Sequence, residues 1–281
     1  MSHWFRNGVA ANNISIDDRA FQYGDGLFET IAIRGGQPRL WQYHVDRLAR
    51  GCERLRLVMP DRKVLRDRLD AAVQHSDENA AHCTAKLILS SGVSERGYSR
   101  QTPTVVATFV GVFGAKSMAP THYRDGVDTV VCNTRLALFS VTAGCKTLNR
   151  LEQVLARSEF ASTAAFEGLT LDADDRLICG TMSNVFIVAN DSVITPSLER
   201  CGVEGVMRRH VIDVLSKNGI EIEVRDIGEA DLFAADEVFL TNSQFGVLPV
   251  RRCEEKVWST HAVTRNVMEQ MAADRVPECA I

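Results

Sequence analysis

The sequence predicts a mixed α and β (α+β) protein built as two domains. Apolar segments dense in β-forming residues are interspersed with segments in which apolar residues recur at helical spacing. Several predicted strands follow one another as hairpins, a pattern that argues against an all-parallel doubly wound sheet. The 281 residues suffice for a large core and for two domains of ordinary size.

The N-terminal domain is expected to span residues 1–112. A run of β-forming residues ends at the glycine pair 35–36, which indicates a turn and a hairpin. Two segments with apolar residues at three- and four-residue spacing predict helices. The elements predicted for this domain are strands at 27–33, 84–89 and 104–112 and helices at 43–57 and 62–74.

Small, turn-prone residues at 113–120 form the predicted linker, and residues 121–281 form the predicted C-terminal domain. Strands are again predicted from runs of β-forming residues and helices from apolar residues at helical spacing. The elements predicted for this domain are strands at 128–132, 168–171, 176–178, 184–188, 192–195, 220–224, 237–241 and 247–251, and helices after Lys146 and at 205–217, 229–234 and 260–273.

Composition and charge argue against several classes of protein. The formal net charge of −4 and the lack of a basic run argue against a nucleic-acid partner. No apolar stretch approaches membrane-spanning length, and the N-terminus has no signal-peptide core. The eight cysteines form no Cys-x-x-Cys pair and the seven histidines no metal-binding spacing. We therefore expect a cytoplasmic protein with reduced thiols, without a metal and without a membrane partner.

The ten residues 144–153, GCKTLNRLEQ, contain the lysine that we consider for catalysis. Apolar residues at helical spacing follow Lys146, and Thr147 is a plausible N-cap, so the sequence predicts Lys146 near the positive end of a helix dipole. That position and burial would favour the neutral amine, which is the form that attacks a carbonyl. Most lysines near helix ends are solvated surface charges, so this segment alone favours a surface lysine.

Three further stretches suit an anionic ligand. Arg47 on a predicted helix offers bidentate contacts to a phosphate. The glycines of 202–208, GVEGVMR, lead directly into a helix whose first amides would bind an anion. The third stretch is the polar turn 241–246, TNSQFG, after a strand. Each has an ordinary explanation when taken alone: a surface arginine, a loop-to-helix junction and a plain turn.

The four stretches together resemble the fold-type-IV family of pyridoxal-phosphate enzymes. That family includes branched-chain aminotransferases, D-amino-acid transaminases and aminodeoxychorismate lyases. The likeness covers nearly the whole chain, from Asp18-Arg19-Ala20 through YGDGLFET at 23–30 to Leu248-Pro249-Val250. It implies a homodimer that binds pyridoxal 5′-phosphate. The residues implied for the cofactor are Lys146 as the Schiff-base lysine and, for the phosphate, Arg47, the amides of Val206 and Met207, and Ser243.

Two segments are similar to the lyases of this family: KTLNRLEQ at 146–153 and RGYS at 96–99. The resemblance implies conversion of 4-amino-4-deoxychorismate to 4-aminobenzoate and pyruvate, a step in folate synthesis. Because the substrate is a dicarboxylate, we expect cations and donors to bind it. The candidates are Arg96, Tyr98 and Arg135, with Tyr23 and Glu29 lining the cofactor pocket. A surface role for Arg135 and a packing role for Tyr23 are open alternatives.

One position departs from the family pattern. Family members usually carry a glutamate five residues before the asparagine that matches Asn184, and this glutamate pairs with the pyridinium nitrogen. Cys179 occupies that position here. A neutral thiol is a weak partner, although a thiolate beside a pyridinium could substitute in part. We therefore expect a weaker electron sink. A transaminase of the same fold and a degenerate, non-catalytic family member stay open as alternatives.

Overall fold

The computed structural model describes residues 3–102, 104–138, 141–220 and 222–280. The chain divides into two compact units. The first unit comprises the chain up to Lys116 together with Cys145–Asn149, and the second comprises Ser117–Gly144 and the chain from Arg150 onward. The change of unit at Lys116 lies within the predicted linker, and Lys146 packs with the first unit. The division into domains at 1–112 and 121–281 stays a prediction.

The first unit contains, within the described ranges, a six-stranded sheet and three helices. The strands are β1 (His3–Arg6), β2 (Val9–Ala10), β3 (Gly26–Arg34), β4 (Gln37–Pro38), β5 (His82–Ser90) and β6 (Ala107–Gly114). The helices are α1 (Arg19–Tyr23), α2 (Trp41–Leu55) and α3 (Arg62–His75). The strand order is β2-β1-β6-β5-β3-β4, and every neighbouring pair is antiparallel.

Side-chain alternation along β3 gives the first unit its core. Leu27, Ile31 and Ile33 lie on one face of the strand and pack with buried residues of α2, α3 and β5. Gly51 of α2 makes this close packing possible, because a Cβ atom there would lie 2.7 Å from Leu27 Cδ1. Glu29 shares the alternation phase of these three apolar residues, so its carboxylate points toward the helices.

The residues around Lys146 extend the sheet at the edge of β3. The Phe28 N–H donates to the Lys146 carbonyl at 2.9 Å, and the Leu148 N–H donates to the Gly26 carbonyl at 3.0 Å. Thr147 is buried and pairs with Leu27 in an antiparallel bridge. Backbone hydrogen bonds to β3 therefore fix Lys146.

The predicted helix start at Thr147 is wrong. The helix α5 begins at Leu151, and its N-cap Arg150 makes no side-chain capping bond. Because the effect of a helix dipole fades within the first turn, it gives no account of Lys146, which lies five residues before Leu151.

The second unit contains, among its described residues, a nine-stranded sheet. The strands are β7 (Val127–Val131), β8 (Glu167–Leu171), β9 (Leu177–Gly180), β10 (Asn184–Ala189), β11 (Ser192–Pro196), β12 (Ile222–Arg225), β13 (Glu237–Asn242), β14 (Gly246–Cys253) and β15 (Lys256–Val257). The order is β12-β11-β10-β13-β14-β7-β8-β9, with β15 on β14. Three pairs are parallel (β11 with β12, β14 with β7, and β7 with β8) and the others are antiparallel.

The second unit also contains helices, and the central strands of its sheet are apolar on both faces. The helices are α4 (Pro120–Asp125), α5 (Leu151–Glu159), α6 (Val206–Lys217), α7 (Glu229–Ala234), α8 (Ala262–Ala273) and a 3₁₀ helix (Pro277–Cys279). In the central strands, Phe186 of β10 and Phe239 of β13 stack with ring centroids 4.7 Å apart. Continuous apolar runs are typical of strands that are buried on both sides.

The helix α5 carries its apolar residues outward. Leu151, Val154 and Leu155 are 69%, 61% and 51% exposed, whereas Ala156 is fully buried. The spacing of these residues predicts an amphipathic helix, and the helix exists, but its apolar face does not pack into the core. We call the three residues the α5 apolar face.

Most elements predicted from periodicity are present within a few residues of their predicted bounds, including both helices of the N-terminal part. The strand predicted from residue 104 begins only at Ala107. The strand predicted at 220–224 includes Glu221, which lies outside the described residues, and Ile222–Arg225 form β12. All eight cysteines are buried. No helix of the described ranges has the length and apolar character needed to cross a membrane.

Candidate active site

Two lysine amino groups lie near the ring of Phe28 in the first unit. Lys146 Nζ is 4.4 Å from the ring centroid, and Lys86 Nζ is 5.0 Å from it. Lys86 is paired with Thr30 on β3, so it shares the sheet face of Phe28. Burial lowers the pKa of Lys86 from its usual value. This sheet face therefore carries two half-buried amines beside an aromatic ring.

A buried group of three charged or polar residues lies on the opposite face of β3. It consists of Glu29, His44 and Arg47, and we call it the Glu29 cluster. Glu29 Oε1 accepts from Arg47 Nε at 2.8 Å, and Glu29 Oε2 accepts a second, short bond from Arg47 Nη2. His44 Nδ1 lies 2.6 Å from Glu29 Oε2. Glu29 and His44 are fully buried, and Arg47 is 6% exposed.

The charges of the Glu29 cluster are fixed by its contacts. Burial by itself would raise the pKa of Glu29, but the Arg47 guanidinium and the hydrogen bonds lower this pKa to about 2. Burial lowers the pKa of His44, and the charges of Arg47 and Lys146 lower it further, while Glu29 opposes this shift. Near pH 7, Glu29 is therefore ionised, and a neutral His44 donates its Nδ1–H to it.

The start of α6 in the second unit offers backbone amides. Gly205 is the N-cap and has no side chain that could accept from them. A Cβ atom at Gly205 would lie 1.9 Å from Asn184 Oδ1, and Asn184 Nδ2 donates to the Val203 carbonyl at 2.9 Å. Only glycine allows this close approach. The first amides, those of Val206 and Met207, are therefore suited to an anion.

The turn after β13 contains Ser243. Asn242 Oδ1 accepts from the backbone N–H groups of Gln244 and Phe245 at 2.8 and 3.0 Å, which fixes the turn around the half-buried Ser243. Thr241 is buried, and its Oγ1 has no hydrogen-bond partner within the described ranges. The hydroxyl of Thr241 thus lies two residues from Ser243 as an unsatisfied polar atom.

Cys179 lies on β9 in mainly apolar surroundings. It is buried and belongs to a cluster with Leu136, Ile178, Leu198 and Cys201. Thr170 Oγ1 donates to the Cys179 carbonyl at 2.9 Å and lies 3.6 Å from its Sγ. Burial raises the pKa of the neighbouring Cys201 to about 12. The surroundings therefore disfavour a thiolate at Cys201.

The residues predicted to bind the substrate carboxylates are exposed. Arg96 lies on the surface, and Tyr98 is 88% exposed, with its ring 5.6 Å from that of the half-buried Tyr23. Arg135 is exposed and forms an ion pair with Asp175 at 3.0 Å. Glu29 differs from them, because both of its carboxylate oxygens are bound within the Glu29 cluster. The roles of these residues toward a substrate stay predictions.

Sequence reasoning missed the residue that holds the loop of Arg96 and Tyr98. Arg19 is 4% exposed and donates to the carbonyls of Gly97, Tyr98 and Ser99 at 2.9–3.2 Å. It also pairs with Asp25 at 2.9 Å. No local pattern marks Arg19 as a loop anchor, because the three carbonyls that it binds lie nearly 80 residues away.

Sequence reasoning also missed the partnership of His44 and Glu29, for which a signal exists. Glu29 occupies a core phase in an otherwise apolar strand, and His44 and Arg47 are three residues apart on one helix face. A carboxylate at a core position requires buried donors. Two donors on the next helix satisfy this requirement.

The family model of amino-transferase class IV matches residues 26–253, which is most of the chain. The chain therefore belongs to this family. An aminodeoxychorismate lyase of Vibrio harveyi is 40% identical over 249 residues, which are 87% of this chain and 89% of the relative. One from Bacillus subtilis strain 168 is 30% identical over 85% of this chain and 80% of the relative.

A solved structure gives the same result. The crystal structure of 4-amino-4-deoxychorismate lyase from Pseudomonas aeruginosa superimposes with a TM-score of 0.91 at 39% identity, covering 97% of this chain and 99% of that one. The mixed α and β fold and the resemblance to aminodeoxychorismate lyases predicted from the sequence are thereby confirmed.

The residues of each unit fit a phosphorylated carbonyl compound. In the first unit, Lys146 supplies an amine and Arg47 a buried cation. In the second unit, the start of α6 supplies amides. No group of three or more His, Cys, Asp or Glu residues in the described ranges is arranged to hold a metal ion. The donor set suits an organic phosphate.

The close approach at Gly205 leads to a stability prediction. Gly205→Ala is expected to lower the free energy of unfolding by about 1–3 kcal/mol, because the new methyl group must displace Asn184 from the Val203 carbonyl. Gly228→Ala is the matched control. Gly228 is the N-cap of α7, and a Cβ atom there would meet only Asp231 Oδ2 at 3.9 Å. Gly228→Ala should lower the free energy of unfolding by less than about 1 kcal/mol. Equal losses in urea unfolding would contradict the packing argument.

Proposed function

We propose that the protein is a pyridoxal-phosphate-dependent lyase that converts 4-amino-4-deoxychorismate to 4-aminobenzoate and pyruvate, a step in folate synthesis. The observation that carries this proposal is the 39–40% identity to aminodeoxychorismate lyases over nearly the whole chain. The contacts of Lys146 in the first unit support it, because they hold an amine beside an aromatic ring. The protein is an enzyme of the carbon–oxygen lyase class.

The residues proposed to bind the cofactor are those that the family resemblance implies. In the first unit, Lys146 binds it covalently and Arg47 contacts its phosphate. In the second unit, the amides of Val206 and Met207 and the hydroxyl of Ser243 bind the phosphate, and Cys179 is the residue matched to the pyridine nitrogen. Bound pyridoxal phosphate supplies a carbonyl that binds amines and a ring that accepts electrons from the adjacent carbon.

Lys146 is proposed to move the proton in the reaction. Its amine takes the proton from the substrate carbon that carries the amino group. The carbon–oxygen bond to the enolpyruvyl group then breaks, the ring becomes aromatic, and the leaving enolpyruvate takes up a proton to become pyruvate. Lys146 is suited to this task because its backbone is fixed by β3 while its amino group lies over Phe28.

The substrate contacts are proposed from the resemblance and from charge. Arg96, Tyr98 and Arg135 are the candidates for binding the two carboxylates, and Tyr23 lies beside Tyr98. Arg19 anchors the loop that carries Arg96 and Tyr98. This supports a functional role for these two residues, because a buried cation organises an otherwise exposed segment. Arg135 has weaker support, since Asp175 already pairs with it.

A homodimer is proposed as the working form. The family usually forms dimers, and the α5 apolar face is a continuous exposed apolar surface on one helix. A cytoplasmic location is proposed as well, since none of the eight cysteines forms a disulfide within the described ranges.

The first test concerns Lys146. Borohydride treatment of the protein loaded with pyridoxal phosphate should attach the pyridoxyl group to Lys146, as read by mass spectrometry of peptides. Lys86 is an internal control, because its amine also lies near Phe28. A label on Lys86 would refute the assignment of Lys146.

The second test decides between a lyase and a transaminase. A transaminase must stabilise negative charge on the ring in both half-reactions, whereas aromatisation relieves this charge directly in the lyase. The protein should therefore form aminobenzoate measurably and transaminate common amino acids slower by orders of magnitude. Cys179→Glu should raise transamination more than the lyase rate. Faster transamination than aminobenzoate release in the native protein would exclude the lyase proposal.

The third test concerns the dimer. Leu155→Asp introduces a charge into the α5 apolar face and should shift the protein from dimer to monomer in sedimentation velocity. Val58→Asp, at a comparably exposed position of the first unit, is the control and should leave the dimer intact. A native protein that sediments as a monomer would overturn the proposal.

A further inference from the structure

We propose that Glu29 is a positioning residue that presents the guanidinium of Arg47 to the cofactor phosphate. This inference deepens the proposed function and rests on it only in that Arg47 binds a phosphate. Glu29 is fully buried, with both oxygens bound inside the Glu29 cluster. It therefore acts through Arg47 and not by direct contact with a ligand.

The geometry fixes the plane of the guanidinium. Arg47 Nε and Nη2 donate to the two oxygens of one carboxylate, which is the bidentate arrangement that orients a planar guanidinium. A single hydrogen bond would leave the group able to rotate. The alternation of β3 directs the carboxylate toward α2, and the helix brings Arg47 to it. The orientation of the cation is thus determined before any phosphate binds.

His44 makes a third contact with the Glu29 carboxylate. Its Nδ1 lies 2.6 Å from Glu29 Oε2, the oxygen that also accepts from Arg47 Nη2. A carboxylate held by three hydrogen bonds cannot rotate without breaking one of them. Because His44 and Arg47 stand on the same helix face, one turn of α2 sets the positions of both donors.

The charge balance favours positioning over mere packing. A buried arginine without a counter-charge is costly, and the ionised Glu29 neutralises Arg47 at neutral pH. Apolar residues of similar volume would fill this space at lower cost in desolvation. A complete buried ion pair is therefore better explained by the need for an oriented cation at the 6% exposed Arg47.

The experiment is a double-mutant cycle read by binding. The dissociation constants of pyridoxal 5′-phosphate and of inorganic phosphate are measured for the native protein, Glu29→Gln, Arg47→Ala and the double variant. Glu29→Gln should weaken cofactor binding at least about tenfold, because an amide cannot accept from Arg47 at both of its positions. In the Arg47→Ala background, Glu29→Gln should cause no further weakening.

The control is Glu53→Gln, which makes the same charge change at an exposed position of α2 and should leave both constants unchanged. Equal weakening by Glu29→Gln in the presence and absence of Arg47 would overturn the proposal, because Glu29 would then act on the fold. Unchanged or tighter binding in Glu29→Gln would overturn it too. Normal cofactor binding by Arg47→Ala would instead refute the proposed contact between Arg47 and the cofactor phosphate.

A second pair of variants keeps the test decisive if Glu29→Gln does not fold. His44→Leu removes one donor to Glu29 Oε2 and preserves both charges, so it should weaken cofactor binding. His44→Asn keeps a donor at the position of Nδ1 and should bind within about twofold of the native protein. Equal cofactor affinity in these two variants would refute the positioning role.

Discussion

The backbone pairing between residues 146–148 and the start of β3 is the interaction on which the reactive groups of the first unit depend. Two hydrogen bonds fix the register of Lys146 against Phe28. Once this register is set, the pleat of β3 decides which side chains share a face. Phe28 then lies beside Lys146, and Glu29 points to the helices. A one-residue slip would exchange these two faces.

The same pleat explains how an ion pair is kept in a hydrophobic core. Glu29 takes a position that Leu27 and Ile31 flank on the same face, so its carboxylate enters the packed interior. Arg47 and His44 of α2 supply the donors that such a group requires. Because the pKa of Glu29 is lowered from 4.5 to about 2, its ionised form stabilises the fold fully above about pH 4.5, and this stabilisation declines as the pH falls from about 4.5 and is lost once the pH has fallen through about 2.

In the second unit, the close approach of the Asn184 side chain to the Gly205 backbone shapes the start of α6. Gly205 allows Asn184 to lie against the start of α6, and Asn184 in turn holds the Val203 carbonyl. The N-cap Gly205 makes no side-chain hydrogen bond to the amides of the first helical turn. The conformation at this helix N-terminus therefore requires that residue 205 has no Cβ atom. Such a site tolerates few substitutions, since any Cβ atom would collide with Asn184.

The sequence by itself determined the types of most elements, the stretches around Lys146, Arg47, Gly205 and Ser243, and the family. These features are local, because periodicity, a glycine before a helix and a short motif can each be read within a few residues. The sequence also indicated that α5 is amphipathic. It did not indicate that the α5 apolar face is exposed, since the spacing shows only that the apolar residues share one side of the helix.

Only the tertiary structure decided the surroundings of Lys146 and the partners of Arg47. The sequence predicted a helix start at Thr147, but an edge pairing with β3, about 120 residues earlier in the chain, holds this segment in an extended form. The bidentate contact expected between Arg47 and a phosphate is made with Glu29. Both outcomes depend on contacts between residues far apart in sequence or on different elements. Local propensity does not encode such contacts, because their free energy arises only when the chain is folded.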